Sequence, residues 1–291
     1  MNHGQRDVAG TPYDSAVMEM SPEARKQAVA GLFTRTADTY DSVLPFFTHF
    51  GERTVTAAAL APGEHVLDVA CGLGASVFPA AKAVGPSGHV TGVDLAPGMI
   101  EALQQRIRVG SLTNADAQVM DAEALEFPAG RFDAVICAFG IMFLPNIPQA
   151  LSEIRRVLRP NGCAAVAVWA GATPNLGFLG ELSAQFGGVN FESGPGPPPP
   201  WNDDAGFSAL LEQAGFSSVR VVSEEASFEL RDADTWWRWQ LSHGARVYWD
   251  MMPDEKREAF RGAAIARYAE LADDAGRSVF VQRARIAVGR S

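Results

Sequence analysis

Cysteine is scarce in this chain, and its three residues, Cys71, Cys137 and Cys163, stand far apart beside apolar runs. Disulfides need pairs and an oxidising compartment, and metal sites need close ligand spacing, so each reads as a small buried hydrophobe. The five histidines form no H-x-x-x-H or similar pair, and no metal is expected. Long hydrophobic runs are missing too. Neither "MNHGQRDVAG" nor any later stretch offers an apolar signal core or about 18 uninterrupted apolar residues, which disfavours export and a membrane span. Positive charge is in deficit: the formal net charge is -10, and no Lys/Arg cluster is interleaved with aromatics. A nucleic-acid partner is therefore not expected. These absences leave a soluble cytoplasmic protein whose partner is a small molecule.

With 291 residues, of which 47% are apolar, the chain can bury one good core and still carry extra helices. The stretch "VLDVACGLGASVFPA" (66–80) reads as a buried strand, a turn at Gly72 and Gly74, and a helix beginning near Ala75. Two glycines alone serve any turn that needs positive φ. A dinucleotide fold would want a third small residue three places after Gly74, over the pyrophosphate, where Val77 stands. Asp68 precedes the glycines instead. A carboxylate there repels a pyrophosphate and accepts hydrogen bonds from an ammonium group, which points to a nucleoside carrying an amine and no phosphate.

Two further acids arrive at strand ends. "GHVTGVDLAPGMI" alternates and stops at Asp94, at the interval after Gly74 expected of a strand–helix–strand unit and placed to bind ribose hydroxyls. "AQVMDAEALEFP" sets Asp121 directly after a short strand. Its carboxylate can accept from an exocyclic adenine amine, and the Ala122 N–H can reach a ring nitrogen. In isolation, Asp94 would read as a helix cap and Asp121 as a solvated turn.

The blocks "VLDVACGLG", "VTGVDLAPGMI", "DAEALEFP", "FDAVICAFGIMFLPN" and "ALSEIRRVLRPNG", in this order, resemble class I S-adenosylmethionine-dependent methyltransferases, closest to the ubiquinone/menaquinone methyltransferase-like group. The resemblance runs from about Tyr40 to Trp169. It implies a doubly wound α/β fold on a mostly parallel seven-stranded sheet, with S-adenosylmethionine as cofactor. It also implies that Gly72, Gly74 and Ala70 let the methionine part lie against the backbone, with Asp68 near its amino group. Asp94 with Leu95 and Met99 would take the ribose side, Asp121 with Ala122 the adenine, and Ala138 with Phe139 would close the site. "ADTYD" (37–41) resembles the segment that folds over the cofactor, with Tyr40 at its methionine end.

Around this core the chain divides into an N-terminal helical cap (1–60), a cofactor-binding core (61–230) with an insertion at about 171–200, a helical aromatic lid (231–276) and a last core strand (277–291). Ser21 is a candidate N-cap with Pro22 at the first helical position, and a second helix is expected over roughly 51–60. The glycines and the Pro197–Pro200 run make the insertion an excursion over the carboxyl ends of the strands. "DDAGFSALLEQAGF" reads as a helix, "SSVRVVSEEASFEL" as a strand, and the last strand lies within "SVFVQRARIAVGRS".

Trp236, Trp237, Trp239, Tyr248 and Trp249 crowd into the lid with His243. Neighbouring residues such as Trp236 and Trp237 diverge by about 100° on a helix, so some pack on the core and others line something. Plain packing of a helical subdomain is one reading; a wall for a hydrophobic acceptor is the other, with Trp236, Trp239 and Tyr248 on the lid and Phe33 and Phe47 on the N-terminal cap. Methyl transfer needs acceptor and methyl held on one axis and water kept out. An ionisable hydroxyl or acidic carbon would also need a base, for which His243 and His49 are the candidates. The expected activity is methylation of carbon or oxygen in a small hydrophobic metabolite of secondary or quinone-like metabolism. A cyclase or isomerase using the cofactor structurally would keep the same residues. A nicotinamide oxidoreductase is opposed by Asp68 and Val77.

Overall fold

The computed structural model describes residues 20–170, 178–188 and 199–291. Seven strands form one sheet: β1 (His65–Val69), β2 (His89–Asp94), β3 (Ala115–Val119), β4 (Phe132–Ala138), β5 (Leu158–Trp169), β6 (Ser217–Leu230) and β7 (Ser278–Arg290). Their order is β3-β2-β1-β4-β5-β7-β6. The first five run parallel, and β7 lies antiparallel between β5 and β6. This is the mostly parallel seven-stranded sheet expected from the sequence.

Central strands covered on both faces need apolar side chains in both directions, and Val66, Leu67 and Val69 of β1 are all fully buried. Edge strand β6 instead alternates and carries Arg220, Glu224, Glu225 and Glu229, charges that discourage pairing with another chain. On one face pack α2 (Phe46–Ala58), α3 (Val77–Val84) and α4 (Pro97–Val109); on the other pack α5 (Ile147–Val157) and α7 (Asp204–Gln213). The helix expected near Ala75 begins at Val77, because residues 71–76 are spent in the glycine turn. The helix expected over 51–60 starts earlier, at Phe46, since the remote carboxylate of Asp41 accepts from the N–H groups of Phe47 and Thr48 and caps its first turn.

The N-terminal helix α1 (Pro22–Thr36) begins as expected, with the Ser21 hydroxyl accepting from Ala24 N–H. Of its residues only Leu32 and Thr36 are buried. Between β6 and β7 lie α8 (Ala233–Leu241), α9 (Arg246–Asp250) and α10 (Arg257–Ala269). Within the expected excursion, 178–188 are described and hold α6 (Phe178–Gln185), whose Phe178 stacks on Trp236; the rest of it up to Pro198, like residues 1–19, lies outside the described residues. All three cysteines are buried and free. Among the described residues no helix is long and apolar enough to cross a membrane.

Helix α2 approaches the glycine turn so closely that a Cβ on Gly51 would collide with the backbone of Ala75. Gly51→Ala should therefore destabilise the fold by about 1–3 kcal/mol. Gly262→Ala, within α10 where a Cβ meets open space, should raise stability by about 0.5–1 kcal/mol. Thermal melts of the two variants check the contrast; equal shifts would show that α2 can retreat from the turn.

Candidate active site

Connections leave β1 and β4 toward opposite sides of the sheet, so a crevice opens beyond their carboxyl ends. The chain turns sharply there. Ala70 after β1 and Phe139 after β4 both sit in the left-handed region, at φ 55° and 63°, as do Gly72 and Gly74 at 51° and 87°. Holding a non-glycine residue so costs on the order of 1–3 kcal/mol, and both Ala70 and Phe139 line the same cavity.

Asp94, at the tip of β2, accepts from Gly72 N–H and Ala96 N–H, each at 2.9 Å. One carboxylate thus fixes the glycine turn against the start of α4. Asp68 is 1% exposed, and among the described residues neither of its oxygens meets a donor. Burial, reinforced by the charge of Asp94, holds its pKa well above the usual carboxylate range. Asp121 accepts from Glu123 N–H at 2.8 Å and from Lys26 Nζ at 2.7 Å, and Lys26 also reaches Glu123 at 2.6 Å. Helix α1 is thereby tied across the end of β3.

An inner cavity of about 250 Å³ gathers most of the residues singled out from sequence: Phe33, Tyr40, Phe47, Ala70, Gly72, Asp94, Leu95, Met99, Asp121, Ala122, Ala138, Phe139 and His243. Asp68 and Gly74 line a larger, more open cavity of about 810 Å³ that shares Tyr40, Phe47, Gly72 and Phe139 with the first. Aromatic rings share this lining with the acids. Tyr40 stacks on Phe47 at 4.4 Å, Phe139 stacks on Trp169 at 3.6 Å, and Phe33 meets Phe143 edge-on at 5.2 Å. Burial raises the Tyr40 phenol well above its ordinary range, so it stays neutral.

Four of the sequence candidates are not brought to either cavity. His49 packs edge-on against Phe50 and Phe228. Trp236 and Trp239 are buried at 0% and 5% exposure: Trp236 stacks between Phe178 and Tyr268, and Trp239 packs on Phe46, Phe280 and His243. Tyr248 also lies away from the cavities, packed against the core. The tryptophans take the packing role because α8 is sandwiched between α10 on one side and α2 with β7 on the other. What this segment offers the inner cavity is the turn His243, Gly244 and Ala245.

Lys26, Phe143 and Trp169 also line it and were not singled out from sequence. Trp169 and Phe143 follow the tips of β5 and β4, a position that could have flagged them. Nothing local marks Lys26, which reaches the site only through tertiary docking of α1.

A family model described as "Methyltransferase domain" matches residues 66–162. The chain is 40% identical over 144 residues to aklanonic acid methyltransferase DauC of Streptomyces sp. (strain C5), covering 49% of this chain and 66% of that one. It is 30% identical over 244 residues to nocamycin O-methyltransferase of Saccharothrix syringae, covering 78% of this chain and 86% of that enzyme. The chain belongs to the S-adenosylmethionine-dependent methyltransferases. The fold of this methyltransferase is also that of the YcgJ protein of Bacillus subtilis, with a TM-score of 0.55 at 17% identity over 84% of this chain and 98% of that one.

S-adenosylmethionine is the cofactor, and the residues present fit it. The unpartnered carboxylate of Asp68 suits an ammonium group, open space faces the Cα of Gly72, and the strand-tip acids leave lone pairs free for hydroxyl and amine donors.

The packing of Trp236 separates structure from chemistry. Trp236→Ala should lower stability by about 3–5 kcal/mol and leave S-adenosylhomocysteine affinity near that of the wild type. Chemical denaturation and calorimetry on the same samples check this; a stable variant with impaired binding would return Trp236 to the site.

Proposed function

We propose that this methyltransferase transfers a methyl group to carbon or oxygen of a small hydrophobic acceptor held in the inner cavity. The observation that carries this reading is the cavity's mixed lining, in which strand-tip acids and turn backbone stand together with stacked aromatic rings. The naming of similar enzymes for aklanonic acid and nocamycin supports an acceptor from secondary metabolism.

In this reading Asp94, with Leu95 and Met99 beside it, holds the ribose, and Asp121 with Ala122 holds the adenine. Asp68 takes the methionine ammonium, while Ala70, Gly72 and Gly74 supply close backbone and Tyr40, Ala138 and Phe139 close the methionine end. The cofactor, when bound, supplies an electrophilic methyl group on a sulfonium. The chain's own part is to hold the acceptor in line and to exclude water, which the rings of Phe33, Phe47, Phe143 and Trp169 do while tolerating nearby cationic charge. Helix α1 and the turn at 243–245 act as the two caps.

The decisive experiment incubates the protein with methyl-labelled S-adenosylmethionine and a metabolite extract. A product that gains the labelled methyl, with S-adenosylhomocysteine formed in equal amount, is the expected result. An isomeric, unlabelled product would replace methylation by cyclisation.

Asp68 gives a second check. Burial raises its pKa and an ammonium ligand lowers it, so binding should be accompanied by proton release wherever the pH lies between the free and the bound value. Calorimetric enthalpies for S-adenosylhomocysteine should then vary with the ionisation heat of the buffer. Asp68→Asn should abolish that variation; buffer-independent enthalpy in the wild type would remove Asp68 from the ammonium site.

A further inference from the structure

His243 is the polar side chain on the aromatic side of the inner cavity whose hydrogen bonding inside the protein is half complete. It follows the end of α8, in a turn where Ala245 N–H donates to its Nδ1 at 3.2 Å. An imidazole nitrogen that accepts a backbone N–H carries no proton of its own, so in the neutral ring the proton sits on Nε2. The ring is neutral: burial lowers its pKa to about 4. Trp239 and Phe47 pack against it at 4.7 and 6.1 Å, and both are apolar faces. Nε2 is buried, and no group among the described residues pairs with it.

That combination is unsuited to a general base. A base acting at Nε2 needs a bare nitrogen there and an acceptor at Nδ1, and this turn imposes the reverse. What the ring has to give is an N–H donor, and a buried donor left unpaired is costly. His243 forms part of the cavity wall, with Gly244 and Ala245 beside it, and Nε2 lies beneath that wall, so a small shift of the ring lets a cavity ligand bring the missing partner.

We propose that His243 is a specificity-determining residue that donates from Nε2 to an oxygen of the acceptor, and that the acceptor class is therefore a ring compound bearing a carbonyl, carboxylate or phenolate oxygen. This rests on the reading that the inner cavity holds the acceptor. A hydrocarbon of the same shape leaves the donor unpaired and is rejected. In the same position a neutral donor draws electron density onto that oxygen without taking a proton from the acceptor.

The test uses two defined probes of similar shape, 1-tetralone and tetralin, titrated by intrinsic tryptophan fluorescence onto the full chain saturated with S-adenosylhomocysteine. In His243→Phe, which keeps an aromatic ring among aromatic neighbours, the affinity ratio of tetralone to tetralin should fall about tenfold from the wild-type ratio. His243→Gln, which keeps an N–H at similar reach, should preserve most of it. Nitrogen-15 spectra of the wild type at neutral pH should show the Nε2–H tautomer, with the Nε2 signal moving on addition of tetralone and not of tetralin. A ratio unchanged in the Phe variant, no tetralone binding by the wild type up to its solubility, or an Nδ1–H tautomer overturns the proposal. These readouts do not depend on methyl transfer. A labelled-cofactor assay without transfer, alongside a His243-dependent ratio, would overturn the proposed reaction and leave the oxygen donor standing.

Discussion

The carboxylate of Asp94 is the constraint on which the site depends. It stands at the end of β2, yet its two oxygens hold the N–H of Gly72, in the turn after β1, and the N–H of Ala96, at the start of α4. Parallel strands are joined only through long crossovers, so their tips have no local reason to stay in register beyond the last ladder bond. A charged acceptor shared by two backbone donors supplies that reason, and charge-assisted bonds are the stronger kind. Burial raises the Asp94 pKa while the backbone N–H groups oppose the rise. The turn is thus shaped before any ligand arrives, with Ala70 and Gly72 held at positive φ.

From that pin the rest of the cavity follows in layers. The glycine turn leans on α2 at Gly51, and α2 carries Phe46, Phe47 and Phe50 into the aromatic cluster shared with Trp169 and Phe228. The same cluster receives Trp239 from α8. Rings remote from the cavity therefore support the rings that line it. Helix α1 stands apart from this arrangement. With two buried residues, it packs on α4 through Thr34 and on Phe143 through Phe33, and is tied down by the Lys26 pairs to Asp121 and Glu123. A segment with so little buried surface opens locally at lower cost than the core beneath it.

The strand-tip half of the site was legible in the sequence because it is locally encoded. Asp68 stands one residue before the end of β1, Asp94 ends β2 and Asp121 follows β3, and the strand–helix–strand rhythm alone brings such positions to one edge of a parallel sheet. The aromatic half was only partly legible. Phe33, Tyr40 and Phe47 reach the cavity, but the pattern around Trp236 and Trp239 says only that a helix has large apolar residues on several sides. Whether such a side faces a cavity or a neighbouring helix depends on α6 and α10, elements with no sequence relation to α8. Lys26 was illegible for the same reason: its partners lie about a third of the chain away, and a lone lysine on a mixed helix carries no signal.

Burial also sets the electrostatics of the cavity's titratable groups. Burial holds the Tyr40 phenol neutral from above and the His243 imidazole neutral from below, so the groups left to carry charge in the inner cavity are the carboxylates of Asp94 and Asp121 and the Lys26 ammonium paired with Asp121. The aromatic rings beside these groups add dipoles and ring faces without net charge. A charged residue buried among these rings would have to be desolvated, a cost that a neutral donor on a turn avoids.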